Sequence, residues 1–175
     1  MPIRAAIAVS AAVSAAAAAV LLSTPQSQAA AGPERAAQCT ERALTVRAKA
    51  ATGHPTVLRI SVTNRTARAC VVDRVPTVTF GDLDGAALPV PEGGTGGYRL
   101  AAGGTAYAAV RTIGDPQDPE ARRADSVTVA TSAAHWGRSF GAGRLGTGRQ
   151  VLVWEPVTTW WQPTARAADR IIGLG

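Results

Sequence analysis

Apolar and polar positions alternate along most of this chain. Leu44, Val46 and Ala48 share one side of an extended segment, and Thr45, Arg47 and Lys49 share the other. A period of two marks a strand with one face buried. Thr52-Gly53-His54-Pro55 reads as a turn. Leu58, Ile60 and Val62 then repeat the alternation until Asn64-Arg65-Thr66 ends it. Further short strands are predicted at Cys70–Val72, Val75–Phe80, Ala87–Val90, Thr105–Thr112 and Val151–Trp154, and around Leu100 and Val127. Pro76 has no N–H to give a ladder, which places its strand at an edge or a bulge. Asp84-Gly85 suits the turn of a hairpin, because it accepts positive φ. Residues 91–97 form a glycine-rich loop and residues 114–120 a polar one. Thr164–Ile172 is the one helix candidate, with Thr164 as N-cap and Gly173 as stop. Short strands between turns, with almost no helical period, indicate an all-β, antiparallel β-sandwich.

The first thirty residues differ from the rest. Arg4 is the only charge before Glu34, and Ala5–Leu22 is an 18-residue run of small and apolar residues. Pro25 follows in Ser23-Thr24-Pro25-Gln26-Ser27-Gln28-Ala29, with small residues at −3 and −1 of a cut after Ala29 or Ala31. A positive start, an apolar run and a small-residue cleavage site define a secretory signal peptide. The expected layout is a signal peptide over 1–31, cut near 29–31, and a short linker over 32–38. The sandwich domain then fills 39–155, and 156–175 is a C-terminal extension with a short helix. An uncleaved anchor is the competing reading, but 18 residues is short for a span and alanine gains little from lipid. Cys39 lies too far past the apolar run for lipid attachment. The exported part, about 145 residues, is long enough for its own core.

Cys39 and Cys70 are the only cysteines. An even count in an exported chain argues for a disulfide, and two cysteines leave one connectivity. The loop so closed is about 32 residues, worth about 3.7 kcal/mol by chain entropy. Free thiols or a metal site would need other ligands nearby, and His54 and His135 are not at ligand spacing. Of 18 basic residues, 17 are Arg and one is Lys49. That bias follows from GC-rich coding and is poor evidence for recognition. Loss of Arg4 lowers the net charge from +6 to +5. Such a charge on an exported protein favours anionic surfaces, wall polymers or lipid headgroups among them. Dispersed, it serves solubility alone, and only Arg122 and Arg123 are adjacent.

The order of these features resembles a known family. A cysteine near the start of the exported part is followed by an alternating strand and by Leu58-x-Ile60-x-Val62-Thr63-Asn64. Then come Cys70, Val75-Pro76-x-Val78, Asp84-Gly85 and Leu100-Ala101-Ala102-Gly103-Gly104-Thr105-Ala106. From Cys39 to about Thr131 this is similar to the exported actinobacterial domain of unknown function 4232. The resemblance implies an immunoglobulin-like sandwich, a disulfide between the two cysteines and no established activity. Arg74-Val75-Pro76 departs from the usual Gly-Tyr-Pro, and the tryptophan-bearing segment after Ala130 fits the pattern poorly.

Candidate chemistry is sparse. Gly141-Ala142-Gly143-Arg144-Leu145-Gly146 spells a dinucleotide motif, but a strand rather than a helix is expected to follow, which favours a glycine-rich hairpin. No Ser stands in a nucleophile elbow for His54 or His135 to serve. Asp82, Asp84 and Gly85 lack the further oxygens of a calcium cage. Asn64-Arg65-Thr66 is a glycosylation sequon that reads equally as a turn. The tryptophans Trp136, Trp154, Trp160 and Trp161 are the most suggestive feature. Trp160 and Trp161 point to opposite faces of an extended segment. Two readings stand: packing over the open end of the sandwich, or partner binding by Trp136, Trp160 and Trp161 beside Arg138 and Arg166. The expectation is a secreted, extracellular, monomeric and non-catalytic domain with an anionic envelope or other extracellular partner. No metal, cofactor, nucleic acid or stable membrane insertion is expected. An enzyme with an unrecognised site and a structural accessory module are the alternatives.

Overall fold

The computed structural model describes residues 37–174. The signal peptide expected over 1–31 therefore lies outside the described residues. In chain order the strands are β1 (Leu44–Ala51), β2 (His54–Asn64), β3 (Cys70–Asp73), β4 (Thr77–Phe80), β5 (Leu88–Val90) and β6 (Gly97–Leu100). They continue as β7 (Thr105–Arg111), β8 (Arg122–Ala124), β9 (Ser126–Ala130), β10 (Arg138–Gly141), β11 (Val151–Val153) and β12 (Val157–Thr159). The helices are α1 (Ala142–Leu145) and α2 (Ala165–Ile171).

Strand alternation decides the layers. β1, β2, β7, β12 and β5 form one five-stranded sheet in that order. Its register sets Val46 opposite Val62, and Ile60 between Ala48 and Ala108. Leu58, Ile60, Val62, Ala106, Ala108 and Val110 on its inner face are almost fully buried. They meet Val72, Val78, Leu100, Val127, Val129 and Val151 from the smaller sheets β10-β9-β4, β11-β8 and β3-β6. The result is a β-sandwich with one continuous layer and one broken layer. Pro76 stands just before β4, an edge strand, where a missing N–H leaves no ladder incomplete.

The expected disulfide is present. Cys39 and Cys70 are bonded, and the Cys39 N–H donates to the Val71 carbonyl at 2.8 Å. The start of the domain is thereby tied to β3. Asn64, fully buried at the end of β2, holds the intervening turn. Its amide N–H groups donate to the carbonyls of Arg68 (2.7 Å) and Ala101 (3.0 Å). Its carbonyl accepts from the Thr66 N–H (3.0 Å) and hydroxyl (2.8 Å). A carboxamide bonded at both ends leaves no buried polar atom unmatched.

Three expectations are corrected. Asp84-Gly85 does not close a hairpin between β4 and β5. After that turn the chain crosses to the other sheet, where β5 pairs parallel with β12, Leu88 opposite Val157. The sandwich does not end at residue 155, because β12 lies inside the five-stranded sheet. The segment Gly141–Gly146 is not a hairpin but the one-turn helix α1. Gly146 ends it at φ 84°, and the N–H groups of Gly146 and Thr147 cap the Ala142 carbonyl.

The C-terminal helix is docked. The Thr164 hydroxyl accepts from the Ala167 N–H at 3.1 Å, capping α2. Ala168 and Ile172 pack on Ala51, Val57 and Ala109, which face outward from the five-stranded sheet. Asp169 accepts from Arg59 on β2 through both carboxylate oxygens, and the ion pair closes to 2.8 Å. Among the described residues, no helix is long and apolar enough to cross a membrane.

Candidate functional site

β1 is an edge strand of the five-stranded sheet, and β10 an edge strand of the opposite layer. Between them the sandwich leaves an open groove of about 600 Å³. Its floor is the inner side of the β1 edge, Val46 and Ala48, with Phe140 of β10. Arg138 of β10 and Arg144 of α1 line it on that inner side, while Arg47 and Lys49 of β1 and Arg59 of β2, with Ser61, Tyr107 and Ala165 of α2, line it where it turns over the β1 edge onto the outer face of the sheet. No Asp or Glu lines it.

The charges are placed by strand register. Arg47 stands opposite Ser61, and Lys49 directly opposite Arg59. Like charges in directly opposed positions destabilise a sheet. Asp169 neutralises Arg59, but among the described residues no carboxylate pairs with Arg47, Lys49, Arg138 or Arg144. Arg138 lies over the Phe140 ring, 5.6 Å from its centroid. The glycine motif contributes Arg144 by exposing it on α1 while Ala142 and Leu145 are buried. The first N–H of that helix donates to the Asp125 carbonyl at 2.8 Å, and its single turn has no phosphate cradle.

The tryptophans divide sharply. Trp161 is 2% exposed and belongs to the core, so it is removed from the accessible surface on which partner binding was expected. Trp160 faces the other way and is half-buried. Its indole N–H donates to the Pro91 carbonyl at 3.0 Å, and the Arg74 guanidinium lies 5.0 Å from its ring centroid. Gly94, at φ +105°, passes so close that a Cβ there would stand 3.0 Å from Trp160 Nε1. Trp160 thus pins the glycine-rich loop, and its cationic neighbour is Arg74 rather than Arg138 or Arg166. Arg166 is exposed on α2.

Trp136 is 93% exposed, on the loop that leads into β10. That loop is braced on every side. The Glu41 carboxylate accepts from the N–H of Trp136 (3.3 Å) and of Gly137 (2.8 Å). Asp73 accepts from the Ala133 N–H at 2.8 Å. His135 Nε2 lies 3.1 Å from the Cys39 carbonyl, and Nδ1 2.8 Å from the Thr131 hydroxyl. The carbonyl only accepts, so Nε2 carries the proton and donates. Both ring nitrogens therefore serve the loop. His54 is exposed at the start of β2. Among the described residues, no three His, Cys, Asp or Glu side chains gather as a metal site would require.

Sequence reasoning found Arg138 and Trp136 but not Arg47, Lys49 and Arg144 as a set. The alternation of β1 already put Arg47 and Lys49 on one face. The basic residues are spread along the sequence, and the groove gathers Arg47, Lys49, Arg138 and Arg144 from β1, β10 and α1. The comparisons with known proteins identify a family. No curated protein and no solved structure matches the chain. The profile described as Domain of unknown function (DUF4232) matches residues 39–161. It runs from Cys39 through β12 to the buried Trp161, so it also covers the tryptophan-bearing segment after Ala130. Spanning 123 of the 175 residues, that match places the chain in the DUF4232 family.

Proposed function

We propose that this chain is an exported, non-catalytic binding module that holds an anionic component of the cell envelope in the groove along its β1 edge. One observation carries the reading: four cations with no carboxylate partner among the described residues, Arg47, Lys49, Arg138 and Arg144, line that groove, and no carboxylate lines it. Concentrated positive charge raises the local concentration of an anionic partner and speeds its arrival. Export is supported by the signal-like sequence start and by the Cys39–Cys70 bond, since disulfides persist in oxidising compartments. A binding role without chemistry is supported by His135, whose two nitrogens are both engaged in holding a loop.

The test is retention of the protein on anionic cell-wall fractions, with an Arg47→Glu/Lys49→Glu variant beside it. The wild type is expected to be retained at low salt and released as salt rises, because exposed charges are screened. The variant should bind about tenfold more weakly, or worse. Equal retention of both proteins, or of neither, would sink the reading.

A further inference from the structure

The cations flank the β1 edge on both sides, and Trp136 is held near one end of it. Glu41, just before β1, bonds the backbone of Trp136 and Gly137, which sets Trp136, outside the groove lining itself, and Arg138 near the Leu44 end of β1. Arg47 follows along β1, and then Lys49. At the Ala50 end, α1 brings in Arg144, with Gly146 packed close to Ala50. Six residue steps separate Leu44 from Ala50, about 20 Å of extended strand. Cations stationed over that length suit a linear polyanion better than a compact multivalent ion.

Trp136 adds a second kind of chemistry. A large aromatic ring left 93% exposed would ordinarily be expected on a mobile tip. Here the backbone of its loop is fixed by Glu41, Asp73 and the doubly bonded His135. A ring whose backbone is already ordered loses little freedom on binding, which is how a recognition platform gains affinity. An open indole face binds flat C–H surfaces, and a sugar ring presents one.

We propose that the groove's ligand is a polyanionic glycan, a linear polymer carrying negative charge on sugar units, and that Trp136 stacks on a sugar at the Leu44 end. This rests on the anion-binding reading above and names the polymer class. Its test compares the wild type, Trp136→Ala, Trp136→Phe and Arg47→Glu/Lys49→Glu against four probes by titration. The probes are polygalacturonate, inorganic polyphosphate, poly-glutamate and phosphatidylglycerol vesicles. The wild type should prefer polygalacturonate. Trp136→Ala should weaken that binding about five- to tenfold and leave polyphosphate binding unchanged, while Trp136→Phe keeps most of the preference. Trp136 is exposed, so an unchanged melting temperature is expected to accompany the loss. Equal binding of polygalacturonate and polyphosphate, with both lost in the charge variant, would leave the anion-binding groove standing and overturn the glycan. Preference for vesicles or poly-glutamate would overturn it in favour of a lipid or an acidic peptide. Binding of no probe by the wild type would overturn both.

Discussion

The disulfide end of this domain and its groove treat polar groups in opposite ways. At the disulfide end nearly every polar atom has a partner. Asn64 makes four hydrogen bonds while fully buried, and His135 bridges Thr131 to Cys39. In the groove, Arg47, Lys49, Arg138 and Arg144 have no carboxylate partner among the described residues. Satisfied polar groups hold a fold together, and their removal leaves desolvated partners behind. Exposed like charges contribute nothing of that kind. The contrast separates the part of the molecule that makes it fold from a part whose exposed charges do not hold the fold together.

Three measurements of unfolding in denaturant would sharpen or break this contrast. The largest effect belongs to the staple. Replacing both Cys39 and Cys70 with Ala should lower stability by about 3–4 kcal/mol, since the loop they close is freed in the unfolded chain. The next belongs to Asn64→Ala, expected to lose about 2–4 kcal/mol as the Arg68 and Ala101 carbonyls and the Thr66 N–H lose a buried partner. The smallest belongs to Lys49→Ala. It should leave stability within about 0.5 kcal/mol of wild type, because Lys49 is exposed and has no carboxylate partner among the described residues. A loss from Lys49→Ala as large as that from Asn64→Ala would mean the groove cations are structural, and the contrast would collapse.

Local physics made some of this legible in the sequence. The alternation around Val46 and Ile60 gave the inner face of the main sheet. Thr164 announced a capped helix, and the two cysteines announced their bond. Adjacent tryptophans had to face opposite ways, but only tertiary packing decides that Trp161 goes in and Trp160 out. The path of β5 was not legible for a similar reason. Asp84-Gly85 is a good turn locally, yet Leu88 finds its partner at Val157, far along the chain. The groove was hidden by the same distance. Arg47 and Lys49 lie on one layer, and Arg138 and Arg144 arrive about ninety positions later on the other. No window of sequence contains them together.

Asn64 has a consequence for how this protein is made. The sequon Asn64-Arg65-Thr66 is intact in the chain, but the folded domain hides the Asn64 amide completely. A bulky sugar attached there during synthesis would exclude Arg68, Ala101 and Thr66 from their contacts and trap the chain before its turn closes. Production in a yeast or mammalian secretory line sets an oligosaccharide-transferring enzyme against the folding clock at that one position. Bacterial hosts without such an enzyme spare the domain the contest.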